Sequence, residues 1–214
     1  FPGADDTLTT TMKSVGEAMA IGRNFPEALQ KALRSIEKRD APFRFDGDKA
    51  AVDVPGLLER MAVPTDGRIN EVQRALWAGA SIEQVHDASH IDPWFLDQIC
   101  RINEMADELA GVGHMDADLL HRAKQLGFSD AQIGQIRRMP EAVVRGVRHA
   151  LDVRPVYKTV DTCAAEFAAR TPYHYSSYDE ENEVEPGTAP KVIILGSGPN
   201  RIGQGIEFDY SCVH

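Results

Sequence analysis

The chain has 214 residues, of which 43% are hydrophobic, so it is long enough and apolar enough to bury at least one core. Its formal net charge of −10 argues against a nucleic-acid-binding protein, because such proteins present a basic face to phosphate. No run of about 18 apolar residues is present, so the sequence predicts no membrane-spanning helix.

Residues 1–37 combine a polar, threonine-rich stretch with an amphipathic helix, which the pattern alone assigns to a surface helix. A threonine-rich stretch leads to Asn24-x-x-Glu27, a capping-box-like helix start with Pro26 at an early position. The apolar stripe of this amphipathic helix is Phe25, Leu29, Leu33 and Ile36, and we expect Lys31, Arg34 and Lys38 to face away from it or to lie near the C-terminal end of the helix. The first residues carry neither an initiator Met nor a signal segment, which favours a piece of a longer chain.

A turn-rich linker at 39–48 precedes a run of short helices. One helix carries Ile69, Val72 and Leu76 and stops at Gly79, and Ser81-x-x-Gln84 caps the next. Asp92-Pro93 then opens a long helix that ends near Gly111 and Gly113. Its predicted buried stripe is Phe95, Ile99, Ile102, Ala106 and Leu109.

The same pattern recurs further along. Gly127-Phe128-Ser129-x-x-Gln132 echoes Gly79-Ala80-Ser81-x-x-Gln84, and Pro140 opens a helix as Pro93 does. The predicted buried face of this last helix is Val143, Val144, Val147 and Leu151. Short connections predict two tandem helix-turn-helix units with antiparallel or steeply crossed neighbours.

The helical middle offers few groups for chemistry. His86 and His90 are four residues apart and can share a helix face as paired metal ligands do, but no convincing third ligand accompanies them. We therefore favour histidines at the surface or the rim of the core. Trp77 and Trp94 are expected to be core anchors, with a place at a subunit interface as the alternative.

The segment 81–102 also has the outline of a DNA-reading helix-turn-helix. The helix that would enter the groove carries Asp97, Glu104, Asp107 and Glu108, which phosphate would repel. The sequence therefore disfavours DNA binding.

Residues 154–190 are predicted to be an extended strap followed by an acidic, proline-containing linker. We expect its tyrosines to pin the strap onto neighbouring domains rather than to bind a ligand; they are Tyr173, Tyr175 and Tyr178.

The run 191–195 contains four consecutive apolar residues and predicts a strand buried on both faces. A glycine-rich loop follows, with glycines at Gly196, Gly198, Gly203 and Gly205. The dinucleotide fingerprint fails at Arg201, and the phosphate-loop pattern fails because Gln204 follows Gly203. Spacing alone leaves open whether this loop cradles phosphate or is a tight strand-to-helix turn.

Three long strings, at 12–34, 155–167 and 194–210, resemble the large subunit of carbamoyl-phosphate synthetase. The first is similar to the end of its carboxyphosphate-forming half, the second to the exit from its oligomerisation domain, and the third to the start of its second half. The resemblance implies a mainly α chain of short antiparallel or crossed helices, with a C-terminal strand and glycine-rich loop from a truncated α/β, pre-ATP-grasp domain. The implied domains are 1–37, 38–187 and 188–214.

The resemblance also implies an ATP-dependent ligase. The whole subunit would use bicarbonate, two ATP with Mg²⁺ or Mn²⁺, and ammonia from a glutaminase small subunit, for arginine and pyrimidine biosynthesis. The ATP-grasp segments are outside this chain, so we expect no catalytic residue, no metal ligand and no bound cofactor here, and self-association through the helical domain. The three scattered cysteines, Cys100, Cys163 and Cys212, fit a cytoplasmic protein with free thiols.

By resemblance, Glu17, Arg201 and Glu207 lie where the family lines an internal route for carbamate. A cation there would stabilise the anion in transit, and carboxylates would order water. The alternative is that these charges pair and hold two domains together. A rival function is an independent nucleotide-binding regulatory module that uses the loop at 196–205.

Overall fold

The helices of this chain begin where the sequence provides side-chain caps. The computed structural model describes residues 3–14, 16–195 and 200–201. The helices in that part are α1 (Phe25–Ser35), α2 (Val54–Met61), α3 (Arg68–Trp77), α4 (Ile82–Ser89), α5 (Pro93–Gly111), α6 (Ala117–Gln125), α7 (Asp130–Arg137) and α8 (Glu141–Ala150). The mainly α fold class is therefore confirmed.

The strands of the described residues form two small antiparallel pairs. β1 (Gly16–Glu17) pairs with β4 (Asn200–Arg201), and β2 (Val156–Thr159) pairs with β3 (His174–Ser177). The β2–β3 hairpin is the predicted extended strap folded back on itself.

Caps explain most helix starts. Asn24 accepts a hydrogen bond from the backbone N–H of Glu27 at 2.9 Å, and Asp92 accepts one from Trp94 at 2.8 Å. Ser81 and Ser129 each form a complete capping box with the glutamine three residues on. The predicted starts of α1, α4, α5 and α7 are thus confirmed.

The tandem repeat is confirmed in backbone conformation. Gly79 and Gly127 both have positive φ, 103° and 88°, between a helix end and a capping box. The two helices that follow both end in a left-handed residue, His90 after α4 and Arg138 after α7. The chain therefore turns in the same way in each unit, and α5 and α8 are the last helices of the two units.

The core is centred on α5, which packs against α1, α3, α4 and α7. Its buried side includes Leu96, Ile99, Ile102, Ala106 and Leu109. Burying one such side chain contributes about 1.5–3 kcal/mol, so this stripe is a main stabilising element. The predicted stripe is right except for Phe95, which is 42% exposed.

Other predictions about burial need correction. On α8 only Val144 is fully buried, and Val143 and Leu151 are exposed, because α8 turns the polar Arg148 inward as well. The 39–48 linker is anchored by Phe43, which is 1% exposed. Helix α2, capped by Asp53, was not predicted.

The apolar run 191–195 does not form the predicted buried strand. Val192, Ile193 and Leu195 are each more than 80% exposed, and the segment has no strand assignment. The physical reason is that, among the residues that the structure describes, this segment has no strand neighbour to bond with and no face to bury against. Strand pairing near this end of the chain lies instead at Asn200–Arg201.

Candidate functional site

The structure places the backbones of two predicted passage residues on neighbouring strands. In the β1–β4 pair, Gly16 lies opposite Arg201 and Glu17 lies opposite Asn200, so Glu17 and Arg201 are one register step apart on neighbouring strands. The third residue, Glu207, and the four loop glycines, Gly196, Gly198, Gly203 and Gly205, lie outside the described residues. β1 thus joins the backbone of the first segment to that of the last.

Helix α1, which follows β1, buries polar side chains rather than a purely apolar stripe. Gln30 donates to the carbonyl of Leu126 at 2.8 Å, and Arg34 donates to the carbonyl of Gly127. Burial lowers the pKa of the Arg34 guanidinium below its usual value. Lys31 does not face away as predicted, because its ammonium reaches backbone carbonyls outside α1. Arg34 does lie in the last turn, as the second alternative had it, but it is directed to the carbonyl of Gly127 rather than to solvent.

Glu27 is the centre of this polar face and is 1% exposed. Its Oε2 accepts from the backbone N–H of Arg23 at 2.6 Å and from the hydroxyl of Ser177 at 3.3 Å. Its Oε1 lies 2.7 Å from the ammonium of Lys31, a charge pair whose angles fall short of a hydrogen bond. A carboxylate in the first turn also interacts favourably with the helix dipole.

Lys31 extends the same contacts in two directions. Its ammonium donates to the carbonyl of Ile21 at 3.0 Å and to the carbonyl of Ser176 in β3. We call Glu27, Lys31, the backbone groups that they hold and the Ser177 hydroxyl the Glu27 junction. It connects the segment that leaves β1, the first turns of α1 and the strap.

A cavity of about 570 Å³ lies beside the junction, between the start of α1, α5, the end of α6 and the strap. Three arginines border it, Arg23, Arg101 and Arg122. Arg122 pairs with Glu108 and Asp118, and Arg23 lies 2.9 Å from Asp179, so carboxylates neutralise two of these cations. The cavity is therefore a poor anion site.

A second buried polar cluster ties the strap to the helices. Asp130 at the start of α7 lies 3.0 Å from Lys124 and 2.9 Å from Arg148, and all three side chains are less than 10% exposed. The ring of Tyr178 covers both cations, with its centroid 5.3 Å from the Lys124 ammonium and 5.7 Å from the Arg148 guanidinium.

Charge and burial oppose each other in this cluster. Burial lowers the pKa of Lys124 to about 8, although Asp130 partly counteracts it. Burial works against ionisation of Asp130 too, but its bonds to Arg148 and Lys124 outweigh burial and lower its pKa. The cluster is thus a charged structural element that orders α6, α7, α8 and Tyr178.

Comparison with known proteins identifies the family. Residues 17–152 match the family model described as the carbamoyl-phosphate synthetase large chain, oligomerisation domain. The chain belongs to this family. Residues 188–214 match a second model, the carbamoyl phosphate synthase preATP-grasp domain.

Curated relatives of the same family cover the whole chain. Carbamoyl phosphate synthase large chains from Streptomyces griseus and Streptomyces avermitilis are 69% and 68% identical over 214 residues, and that from Kineococcus radiotolerans is 64% identical. The chain spans 19% of the length of each of these relatives. The resemblance stated from the three strings is confirmed.

The two histidines considered as metal ligands, His86 and His90, make contacts within the helical oligomerisation domain instead. His86 Nδ1 lies 2.8 Å from the carbonyl of Ile91, and His90 is the left-handed cap of α4. Over the residues that the structure describes, no three His, Cys, Asp or Glu side chains are grouped to hold a metal ion. No helix in the same residues is both long and apolar enough to cross a membrane.

The two tryptophans differ. Trp77 is 6% exposed, with Arg74 4.3 Å and Lys49 4.9 Å from its ring centroid, so it is a core anchor as predicted. Trp94 is 53% exposed and makes edge contacts with Phe25 and Phe95, so its prediction as a core anchor was wrong. Trp94 lies in the first turn of α5, on the side of the helix away from its buried apolar stripe.

Sequence reasoning missed Glu27, Lys31 and Asp130 as organising residues. One signal was available for the first two, since Glu27 and Lys31 are spaced i,i+4 in a helix with an acidic residue in its first turn. Nothing local marks their partners in the strap, about 145 residues away along the chain.

Proposed function

We propose that this chain is the connector region of a carbamoyl-phosphate synthase large subunit. Residues 1–37 would end the carboxyphosphate-forming half, 38–187 would form the helical oligomerisation domain with its strap, and 188–214 would open the second half. The observation that carries the proposal is the pairing of β1 with β4, which joins the two outer segments beside the helical domain. The match of 17–152 to the family's oligomerisation domain supports it.

The reaction of the whole subunit follows from the family. A bicarbonate oxygen attacks the γ-phosphorus of ATP and ADP leaves; ammonia then attacks the carboxyl carbon and expels phosphate to give carbamate. A carbamate oxygen attacks a second ATP to give carbamoyl phosphate and ADP. Mg²⁺ or Mn²⁺ would stabilise the transferring phosphoryl groups, held by ATP-grasp segments outside this chain. Ammonia would come from a glutaminase small subunit in the cytoplasm.

Within this scheme, Glu17, Arg201 and Glu207 would border the route of carbamate between the halves. The pairing of β1 with β4 supports this role, because it brings the backbone of Glu17 beside that of Arg201 where the two outer segments meet. Carbamate decomposes in water, so a shielded route protects the intermediate.

The test uses the full-length subunit with its glutaminase partner. In Glu17→Gln and Arg201→Met, we expect the ATP hydrolysed per carbamoyl phosphate formed to rise above two, because carbamate escapes between the halves. If these charges have no part in the route, the ratio stays at two in both variants, whether or not the two activities fall.

The helical domain would pair subunits. Sedimentation equilibrium of this chain should show association that strengthens with concentration, and a strict monomer at high concentration would contradict that role. The rival role as an independent nucleotide-binding regulator predicts tight binding of ATP or NAD by this chain in calorimetric titration, where we expect none.

A further inference from the structure

We propose that Glu27 and Lys31 are positioning residues for carbamate transfer, because they fix the segment that carries Glu17 against α1 and the strap. The inference rests on the proposed role of Glu17 in the passage. Neither side chain would touch carbamate; each would act through the backbone that it holds.

The two side chains bind two segments of the chain: residues 21–23, which follow β1, and residues 176–177 at the end of β3, which precede β4 in sequence. On the upstream side, Glu27 accepts from the N–H of Arg23 and Lys31 donates to the carbonyl of Ile21. On the downstream side, Lys31 donates to the carbonyl of Ser176 and Glu27 accepts from the hydroxyl of Ser177. The first segment leads back to β1, and the strap leads on to the linker that reaches β4.

Close packing leaves the upstream segment little freedom. A Cβ added at Gly22 would lie 2.8 Å from the backbone nitrogen of Ala28 and 3.0 Å from Glu27 Oε2. The backbone of Gly22 therefore passes directly over the first turn of α1, between the two groups that the junction holds. A shift of α1 or of the Glu27 side chain would displace this segment rather than open a gap.

The lever from the junction to Glu17 is short. Ile21 comes four positions after Glu17, a distance of at most about 13–14 Å along an extended chain. The Glu27 side chain is 1% exposed and that of Lys31 is 20% exposed, so water only partly screens the attraction between their charges. Removal of either side chain therefore leaves the other charge largely buried without its ionic partner. We therefore expect loss of either to loosen residues 17–23 while α1 itself, capped by Asn24 and packed on α5, remains helical.

The experiment measures coupling in the full-length subunit with its glutaminase partner. For Lys31→Met and Glu27→Gln we expect the ATP consumed per carbamoyl phosphate to rise about 1.5-fold or more, with bicarbonate-dependent ATP hydrolysis in the first half nearly retained. Lys31→Arg keeps a cation and donors at the junction, so we expect it to restore most of the coupling. Lys38→Met is the matched control, since the Lys38 side chain is 66% exposed and its ion pair with Asp66 is long, at 3.9 Å.

A purely structural role gives a different result. ATP hydrolysis and product formation would then fall in proportion and the ratio would stay at two in both variants, which overturns the inference. Should Lys31→Met not fold, Ser177→Ala removes one hydroxyl from the junction, and an unchanged ratio there and in Glu27→Gln would equally overturn it.

Glu17→Gln measured in parallel separates the two proposals. A raised ratio in Glu17→Gln with an unchanged ratio in the Lys31 and Glu27 variants rejects the positioning role alone. An unchanged ratio in Glu17→Gln rejects the passage, and the positioning role falls with it.

Discussion

Replacing Asp130 with asparagine removes the carboxylate that faces Lys124 and Arg148 and keeps nearly the same volume. The two cations then remain in a site where their side chains are only 9% and 7% exposed. Breaking a buried pair from one side costs about 3–5 kcal/mol, because the remaining charge has lost its water and its partner. Arg145 is half exposed and 3.6 Å away, so we expect it to add little to this loss.

Urea unfolding followed by circular dichroism measures this free energy directly. For a domain of this size, the expected loss corresponds to a fall in Tm of about 6–20 °C. Asp118→Asn is the control, because Asp118 is 79% exposed and its 2.9 Å pair with Arg122 should contribute less than about 1 kcal/mol. If Asp130→Asn stays within about 1 kcal/mol of the parent, the cluster does not stabilise the helices as inferred here.

Two further predictions concern neighbouring positions. Gly127→Ala should destabilise the fold by about 1–3 kcal/mol more than Gly79→Ala. Both glycines have positive φ, but only at Gly127 would an added Cβ meet α1, at 2.9 Å from the Cα of Glu27. Equal urea midpoints for the two variants would contradict this. The pKa of Lys124 is lowered in the folded chain to about 8, so between pH 8 and 10.5 the unfolded chain binds more protons and stability rises with pH by at most about 1.4 kcal/mol per unit. Unfolding of the parent and of Lys124→Met in parallel should show that the parent's free energy of unfolding rises relative to the variant's between pH 7.5 and 9.5. A relative free energy that stays constant or falls would be inconsistent with a lowered pKa of Lys124.

Local signals were enough to predict much of this fold. The caps at Asn24, Ser81, Asp92 and Ser129 act within three residues of themselves, so their sequence pattern determines where the helices begin. The repeated glycine before each serine is likewise a local requirement for positive φ.

The burial of polar groups could not be predicted in the same way. Arg34 and Gln30 are on the inner side of α1 because the carbonyls of Gly127 and Leu126 need donors, and those partners lie more than 90 residues away. A pattern based on apolar spacing assigns such side chains to solvent. The Glu27 junction was missed for the same reason.

Apolar patterns also overstated burial where the described part of the chain offers no partner element. Val192–Leu195 has a strong strand pattern, but burial of a strand depends on neighbours that the pattern does not contain. Trp94 is exposed because helix α5 begins with its bulky residues outside the stripe that faces the core. Of the predicted passage, the β1–β4 pair places the backbones of Glu17 and Arg201 on neighbouring strands, and the role of these residues remains a prediction.

The most direct test of the connector role is a bicarbonate-dependent ATP hydrolysis assay on this 214-residue chain with Mg²⁺ present. We expect no turnover above the buffer background, because the proposal assigns nucleotide and metal binding to ATP-grasp segments outside this chain. Hydrolysis that increases with bicarbonate would contradict that role and place catalytic groups within these residues.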